Sequence, residues 1–288
     1  MPGTSEVRNH FLEPLRAVYA QATTLRKCPA ESDWDWLTKG VDRVLSTARS
    51  GRDFLQAFQL FWRRELQAGP YFEALASERR LGMVAECSAL LRQRVDGLRK
   101  SPLDSFEPLA SFDLYAGDGH YLAHATHDPM IGETRWPTGH FFALNLKSQS
   151  LFPLVLADLA GRKKEHDLRA LKRQSVARLR QGAGKGRKVL WVWDKAGVDL
   201  PFWQARKAAG IYFLSLRKEG MCLALEQERA IDRTQPINQG VTADRVVTDR
   251  RGIRVREITF CNPCDGEVYK EVRPPAGSGA WQKRNEGK

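Results

Sequence analysis

A chain of 288 residues, 42% hydrophobic and 28% charged, carries enough apolar material for two ordinary domains or one large one, which excludes a disordered chain. Its formal net charge of +12 points to polyanionic partners, nucleic acid first. No apolar run approaches the ~20 residues that span a bilayer, MPGTSEVRNHFLEPL lacks the pattern of a secretory signal, and five cysteines, odd in number and scattered, fit a reduced cytoplasmic setting without a disulfide framework.

Residues 1–105 read as helical. In SGRDFLQAFQLFWRREL, Phe54, Leu55, Phe58 and Phe61 recur at helical spacing. Gly69-Pro70 breaks that pattern. The next helix is expected to turn Leu75, Leu81, Val84 and Leu91 to a core and Arg79, Arg80, Arg92 and Arg94 outward. That basic face is either a plain solvated surface or a DNA-contacting one.

The texture changes after SPLDSFEP. Phe112 to about Ala123 reads as a strand, and GHFFALNL and LFPLVLA read as two more joined by the polar turn KSQS. EHDLRALKRQSVARLRQ reads as one helix stopped by Gly182. KVLWVW is a buried strand, Asp199 caps a helix with Pro201 in its first turn, Gly210 ends it, and IYFLSL is another buried strand. The order β-β-β-α-β-α-β predicts an α/β fold in which a three-strand meander and two crossovers build one mixed sheet. VVTDRRGIRVREITF then reads as a β-hairpin, and residues 273–288 have the composition of a disordered tail.

An apolar strand that ends in a carboxylate needs a reason. Ligands of such sheets gather at the carboxyl ends of parallel strands, at a switch point in strand order. Asp194 stands at such an end, and the right-handed crossover rule sets its strand beside the one carrying Asp118. Two facing carboxylates repel unless a cation lies between them. An all-oxygen site suits Mg²⁺ or Mn²⁺. The competing reading is that Asp194 only opens the turn DKAG.

At these residues the sequence resembles the DDE transposases of bacterial insertion sequences. The likeness runs in order from about residue 45 to 272 through SGRDFL, YFEALASERR, DLYAGDGHYLAHATHD, GHFFALNL, KKEHDLRALKR and VLWVWDKAGVDLPFWQARKAAGIYFLSLRKE. It implies a helical DNA-contacting domain (1–105), a ribonuclease-H-like catalytic core (106–218) and a β-rich insertion (219–272). It assigns Asp118 and Asp194 as the first two catalytic, metal-binding acids. It further implies Mg²⁺-dependent cleavage and strand transfer of DNA, with transposon ends and target DNA as partners, a possible homodimer, and a cytoplasmic, nucleoid-associated protein without a membrane anchor. The family's third acid is a glutamate in a Tyr-x-x-Arg-x-x-x-Glu-x-x-x-x-x-x-Lys helix, and no such motif is found here. The expectation from the sequence is a truncated transposase lacking that ligand. Glu226, Glu228 and Glu271 follow Asp194, none of them in the motif.

Arg254 and Arg256 are expected on one face of the hairpin, with Ile253 and Val255 on the other. With Arg217, Lys218, Arg250 and Arg251 they form the candidate phosphate-binding set. Other motifs carry less. Cys261-Asn-Pro-Cys264 is half of a zinc motif, His120, His124, His127 and Asp128 do not share one strand face, and GAGKG precedes a strand instead of following one. Two rival readings stay open: a catalytically inactive DNA-binding fragment that competes with full-length transposase, and another ribonuclease-H-like metal nuclease.

Overall fold

The computed structural model describes residues 4–23, 31–48, 50–62, 68–96, 101–122, 130–131, 134–135, 138–158 and 165–273. The chain divides into two compact units, Met1–Arg99 and Lys100–Lys288.

The first unit is helical: α1 (Thr4–Tyr19), α2 (Asp33–Leu45), α3 (Gly51–Trp62), α4 (Ala68–Leu75) and α5 (Glu78–Asp96). Phe54, Leu55 and Phe58 of α3 are buried with Tyr71, as their spacing predicts; the side chain of Phe61 lies outside the described residues. Helix α5 departs from expectation. Leu81 and Val84 are exposed, and so is Leu75 of α4, while Met83, Cys87 and Arg80 point inward. The cause is Asp33, which is 1% exposed at the start of α2. A buried carboxylate needs cations, so Arg79 forks onto both its oxygens at 2.6 Å and Arg80 adds a contact at 3.4 Å. That ion cluster fixes the rotation of α5.

The second unit is α/β. Its strands are β1 (Phe112–Leu122), β2 (Met130–Ile131), β3 (Thr134–Arg135), β4 (Thr138–Asn145), β5 (Leu151–Leu156), β6 (Lys188–Trp193), β7 (Ile211–Leu216), β8 (Leu223–Glu228), β9 (Val241–Asp249), β10 (Arg254–Cys261) and β11 (Val268–Arg273). Nine of them form one mixed sheet in the order β5-β4-β1-β6-β7-β11-β10-β9-β8, and β2 and β3 pair separately. Strand β6 lies parallel to both β1 and β7, and β4 runs antiparallel to β1, so the fourth strand of the expected order does sit beside the first. The strand-rich segment after residue 218 extends this same sheet, because β11 pairs with β7.

Alternation along the strands sends Tyr115, Trp191, Trp193, Ile211 and Phe213 to one face. Helices α6 (Asp167–Lys172), α7 (Val176–Leu179) and α8 (Leu200–Lys207) bring Leu171, Leu179 and Trp203 into the same core. The expected single helix over 165–181 is two. Ser175 accepts the Arg178 N–H at 3.1 Å and restarts the helix. That break lets Leu171 and Leu179 both reach 0% exposure. Asp199 caps α8 by accepting from Phe202, as predicted. Gly210 ends the turn after α8 with φ +71°, a conformation that favours glycine. The described residues contain no helix long and apolar enough to cross a membrane.

Candidate functional site

The parallel pairing of β1 with β6 runs from Phe112 opposite Lys188 to Ala116 opposite Val192. Continued two residues past its last pair, that register would bring Asp118 opposite Asp194 on the face away from the helix-covered core; β6 itself ends at Trp193, and Asp194 caps the turn that follows. Gly117, next to Asp118, packs so tightly on that core that a Cβ there would come within 2.4 Å of Trp193. At the other end of the same open face, Lys188 lies over the rings of Phe112 and Tyr212 at 5.7 and 5.8 Å, which fixes the parity of the strands independently.

The position is a switch point. From β1 the chain moves outward through β4 and β5, then returns to β6 and moves the other way to β7. Strand β1 continues to Leu122 alongside β4 while β6 stops at Trp193, so Asp118 stands within β1 and Asp194 just past the end of β6.

Each carboxylate is oriented by its own backbone. Asp118 Oδ1 accepts from the Gly119 N–H at 2.8 Å, and Asp194 Oδ1 accepts from the Ala196 N–H at 3.0 Å. The Ser215 hydroxyl donates to the Asp194 carbonyl at 2.8 Å and ties the end of β6 to β7. Both aspartates are exposed to solvent. Two exposed carboxylates, each with an oxygen turned from its local N–H, make an all-oxygen donor pair suited to Mg²⁺ or Mn²⁺ with water completing the shell. Among the described residues no group of three or more His, Cys, Asp or Glu side chains is placed to hold a metal ion. His124, His127 and Asp128 of the histidine-rich stretch lie outside the described residues, as does the tail from residue 274.

Register also locates an acid toward the far edge of the sheet. Continued one step past Trp193–Ser215, the β6–β7 register would bring Leu216 beside Asp194, and Glu271 of β11 pairs with Leu216. Glu271 thus shares the open face two strands away. Burial pushes its carboxyl above the usual range, and Arg273 pulls it back only in part.

The six candidate phosphate ligands divide by what they already hold. Arg217 donates to Glu257 at 2.6 Å, and Glu257 is 2% exposed. Arg256 forks onto Asp244 at 2.7 and 2.6 Å, and Asp244 is also buried. These two guanidinium groups neutralise internal carboxylates and cannot leave them cheaply. Arg254 pairs with the exposed Glu226, and Arg251 with Asp249 at the hairpin turn. Arg250 donates to the Cys222 thiol at 3.4 Å, and Lys218 stands exposed in the turn after β7. Contacts at exposed positions are weak and readily exchange for phosphate. Arg254 and Arg256 do project to one face while Val255 is buried on the other.

Ser215 and Glu257 escaped the reading of the sequence. Each had a signal: a hydroxyl inside the apolar run IYFLSL, and a glutamate at an inward position of VREITF. No protein-family model matches the chain, and no curated protein matches it.

Proposed function

We propose that the protein is of the insertion-sequence transposase type, a class that cleaves and joins DNA by metal-dependent phosphoryl transfer, with Asp118 and Asp194 as two of its acids and without the glutamate motif that supplies the third. The observation that carries this reading is the parallel pairing of β1 with β6 at the point where strand order reverses, a register that, continued two residues, would bring Asp118 and Asp194 together. The resemblance of the surrounding motifs supplies the reaction class. Asp118 and Asp194 would hold Mg²⁺ or Mn²⁺. When bound, such ions activate the attacking oxygen and neutralise charge on the phosphoryl group. The chain's own part is to hold two carboxylates in place through the Gly119, Ala196 and Ser215 contacts. Lys218, Arg250, Arg251 and Arg254 lie at exposed positions where they neutralise DNA phosphates, in keeping with the +12 charge. A DNA enzyme of this type works at the nucleoid in the cytoplasm.

Nicking of supercoiled plasmid tests the proposal. The expected result is nicking with Mg²⁺ or Mn²⁺, none with chelator, and at least a 100-fold loss in Asp118→Ala and in Asp194→Ala, in line with removal of a catalytic group. A second reading is a DNA-binding protein without chemistry. It is favoured by the lack of a third metal-binding side chain beside the pair among the described residues. Salt-sensitive DNA binding that both variants keep, with no nicking under any metal, would select it.

A further inference from the structure

Three arginines gather around one buried carboxylate, Asp244, on the open face of the extended sheet. Arg256 of β10 forks onto Asp244 of β9 through Nε and Nη2 at 2.7 and 2.6 Å. Arg229 follows the end of β8. Its N–H donates to the Asp244 carbonyl at 2.8 Å, and its Nε lies 3.4 Å from Asp244 Oδ2. Arg273 of β11 is the register partner of Arg256. Directly opposed residues of antiparallel strands share a face, with Cβ atoms about 5 Å apart, and like charges placed there repel.

Arg273 is the cation left over, because Asp244 is already held by the other two. Its Nε is shut off from solvent and has no hydrogen-bond partner. Glu271, two residues back on the same strand and face, attracts it but makes no ion pair with it among the described residues. Burial, and then the charge of Arg256, pulls the Arg273 guanidinium down to about 10 from the 12.5 usual for arginine, so it stays charged at neutral pH. A buried charged donor without an acceptor is costly unless a ligand supplies the acceptor. The cluster also reaches solvent: the side chains of Arg229 and Arg256 are 46% and 26% exposed, and Arg273 is half-buried. An anion with several oxygens suits three guanidinium groups, and a phosphate group matches their forked donors.

We propose that Arg229, Arg256 and Arg273 form a binding site for a phosphate group, in which the Arg273 Nε–H finds its acceptor while Arg256 keeps Asp244. Asp244 is then a positioning residue that sets the Arg229 and Arg256 guanidinium groups beside Arg273. Free phosphate and a phosphate of the DNA backbone share this chemistry. The inference is independent of the phosphoryl-transfer reading, since neither Asp118, Asp194 nor a metal takes part.

The test titrates the full chain, free of metal, with inorganic phosphate by calorimetry, with ionic strength held constant by chloride. The expected result is saturable binding of one phosphate per chain, weakened about tenfold or more in Arg273→Gln, as loss of a charge-assisted hydrogen bond requires. Arg273→Gln removes an unpaired buried charge, so without phosphate its thermal midpoint should not fall below that of the unmodified chain. Arg273→Lys, which keeps the charge and loses the fork, carries the same comparison with a smaller loss. A short DNA duplex then separates the two sources. A duplex that displaces phosphate, and binds more weakly to Arg273→Gln, assigns the site to the DNA backbone; a duplex that leaves phosphate binding unchanged assigns it to free phosphate, and either result supports the site. Absence of saturable phosphate binding, or binding of equal strength in both Arg273 variants, would overturn the proposal.

Discussion

Arg217 reaches from the end of β7 to Glu257, a carboxylate with almost no solvent, while Lys218 beside it stands in water. Removing the arginine leaves a buried charge unpaired. Arg217→Ala is therefore expected to cost about 3–5 kcal/mol in denaturant unfolding, against less than about 0.5 kcal/mol for Lys218→Ala. Glu271 makes a prediction of opposite sense. Its carboxyl is raised by burial, so the fold favours its protonated form. That contribution is fully present below the usual carboxylate range and is lost as pH rises through the raised value. Glu271→Gln should accordingly raise the thermal midpoint at pH 7–8, with the gain vanishing near pH 3. A gain that is the same at both pH values would show that ionisation is not the cause. Asp194 stands out in the sequence as a charge at the tip of an apolar strand, and it does follow directly on the end of β6. The pairing of each arginine was not legible there, since carboxylates such as Glu257 and Asp244 are brought to them by strand register.

Helix α5 shows where periodicity misleads. Leucine and valine at helical spacing mark a buried stripe only when nothing costlier competes for the interior. Here the buried Asp33 draws Arg79 and Arg80, and the helix turns Met83 and Cys87 inward with them. Leu81→Gln, at a position 52% exposed, is expected to change stability by less than about 0.5 kcal/mol, whereas Arg80→Ala should cost on the order of 3 kcal/mol. The reverse order would refute this account of the helix. The strands are more faithful to the sequence, because alternation over six or more residues allows one register only. Strand β1 illustrates the precision. Gly117 has room for hydrogen alone above Trp193, so Gly117→Ala should cost about 1–3 kcal/mol through overpacking and displace the neighbouring Asp118. Plasmid nicking by that variant should fall even at temperatures where it remains folded.

Across the whole molecule, the sheet of the second unit joins the aspartate pair and the arginine-rich hairpin on one continuous surface. From β7 through β11 to β10, the face that carries Leu216 and Glu271 also carries Ile258 and Arg256. Strand order up to β7 follows from short connections and right-handed crossovers, and it was legible for that reason. The return of β11 to pair with β7 was not, since a contact between residues 216 and 271 leaves no local trace in the sequence. If the exposed cations of this surface meet DNA, each phosphate neutralised adds about 0.9 to the slope of log affinity against log salt. Replacing Lys218, Arg250, Arg251 and Arg254 together by Ser should then lower that slope by roughly 3 to 4 in fluorescence anisotropy. An unchanged slope would move the DNA path elsewhere.

The claim on which the account rests is that Asp118 and Asp194 hold one divalent cation jointly. Titration of the purified chain with Mn²⁺, followed by electron paramagnetic resonance of the free ion, reads this without any need for catalysis. The account predicts saturable binding that weakens at least tenfold in Asp118→Asn and in Asp194→Asn, with no further loss in the double variant, since neither carboxylate suffices alone. Binding that survives both substitutions, or that is absent from the unmodified chain, would contradict it.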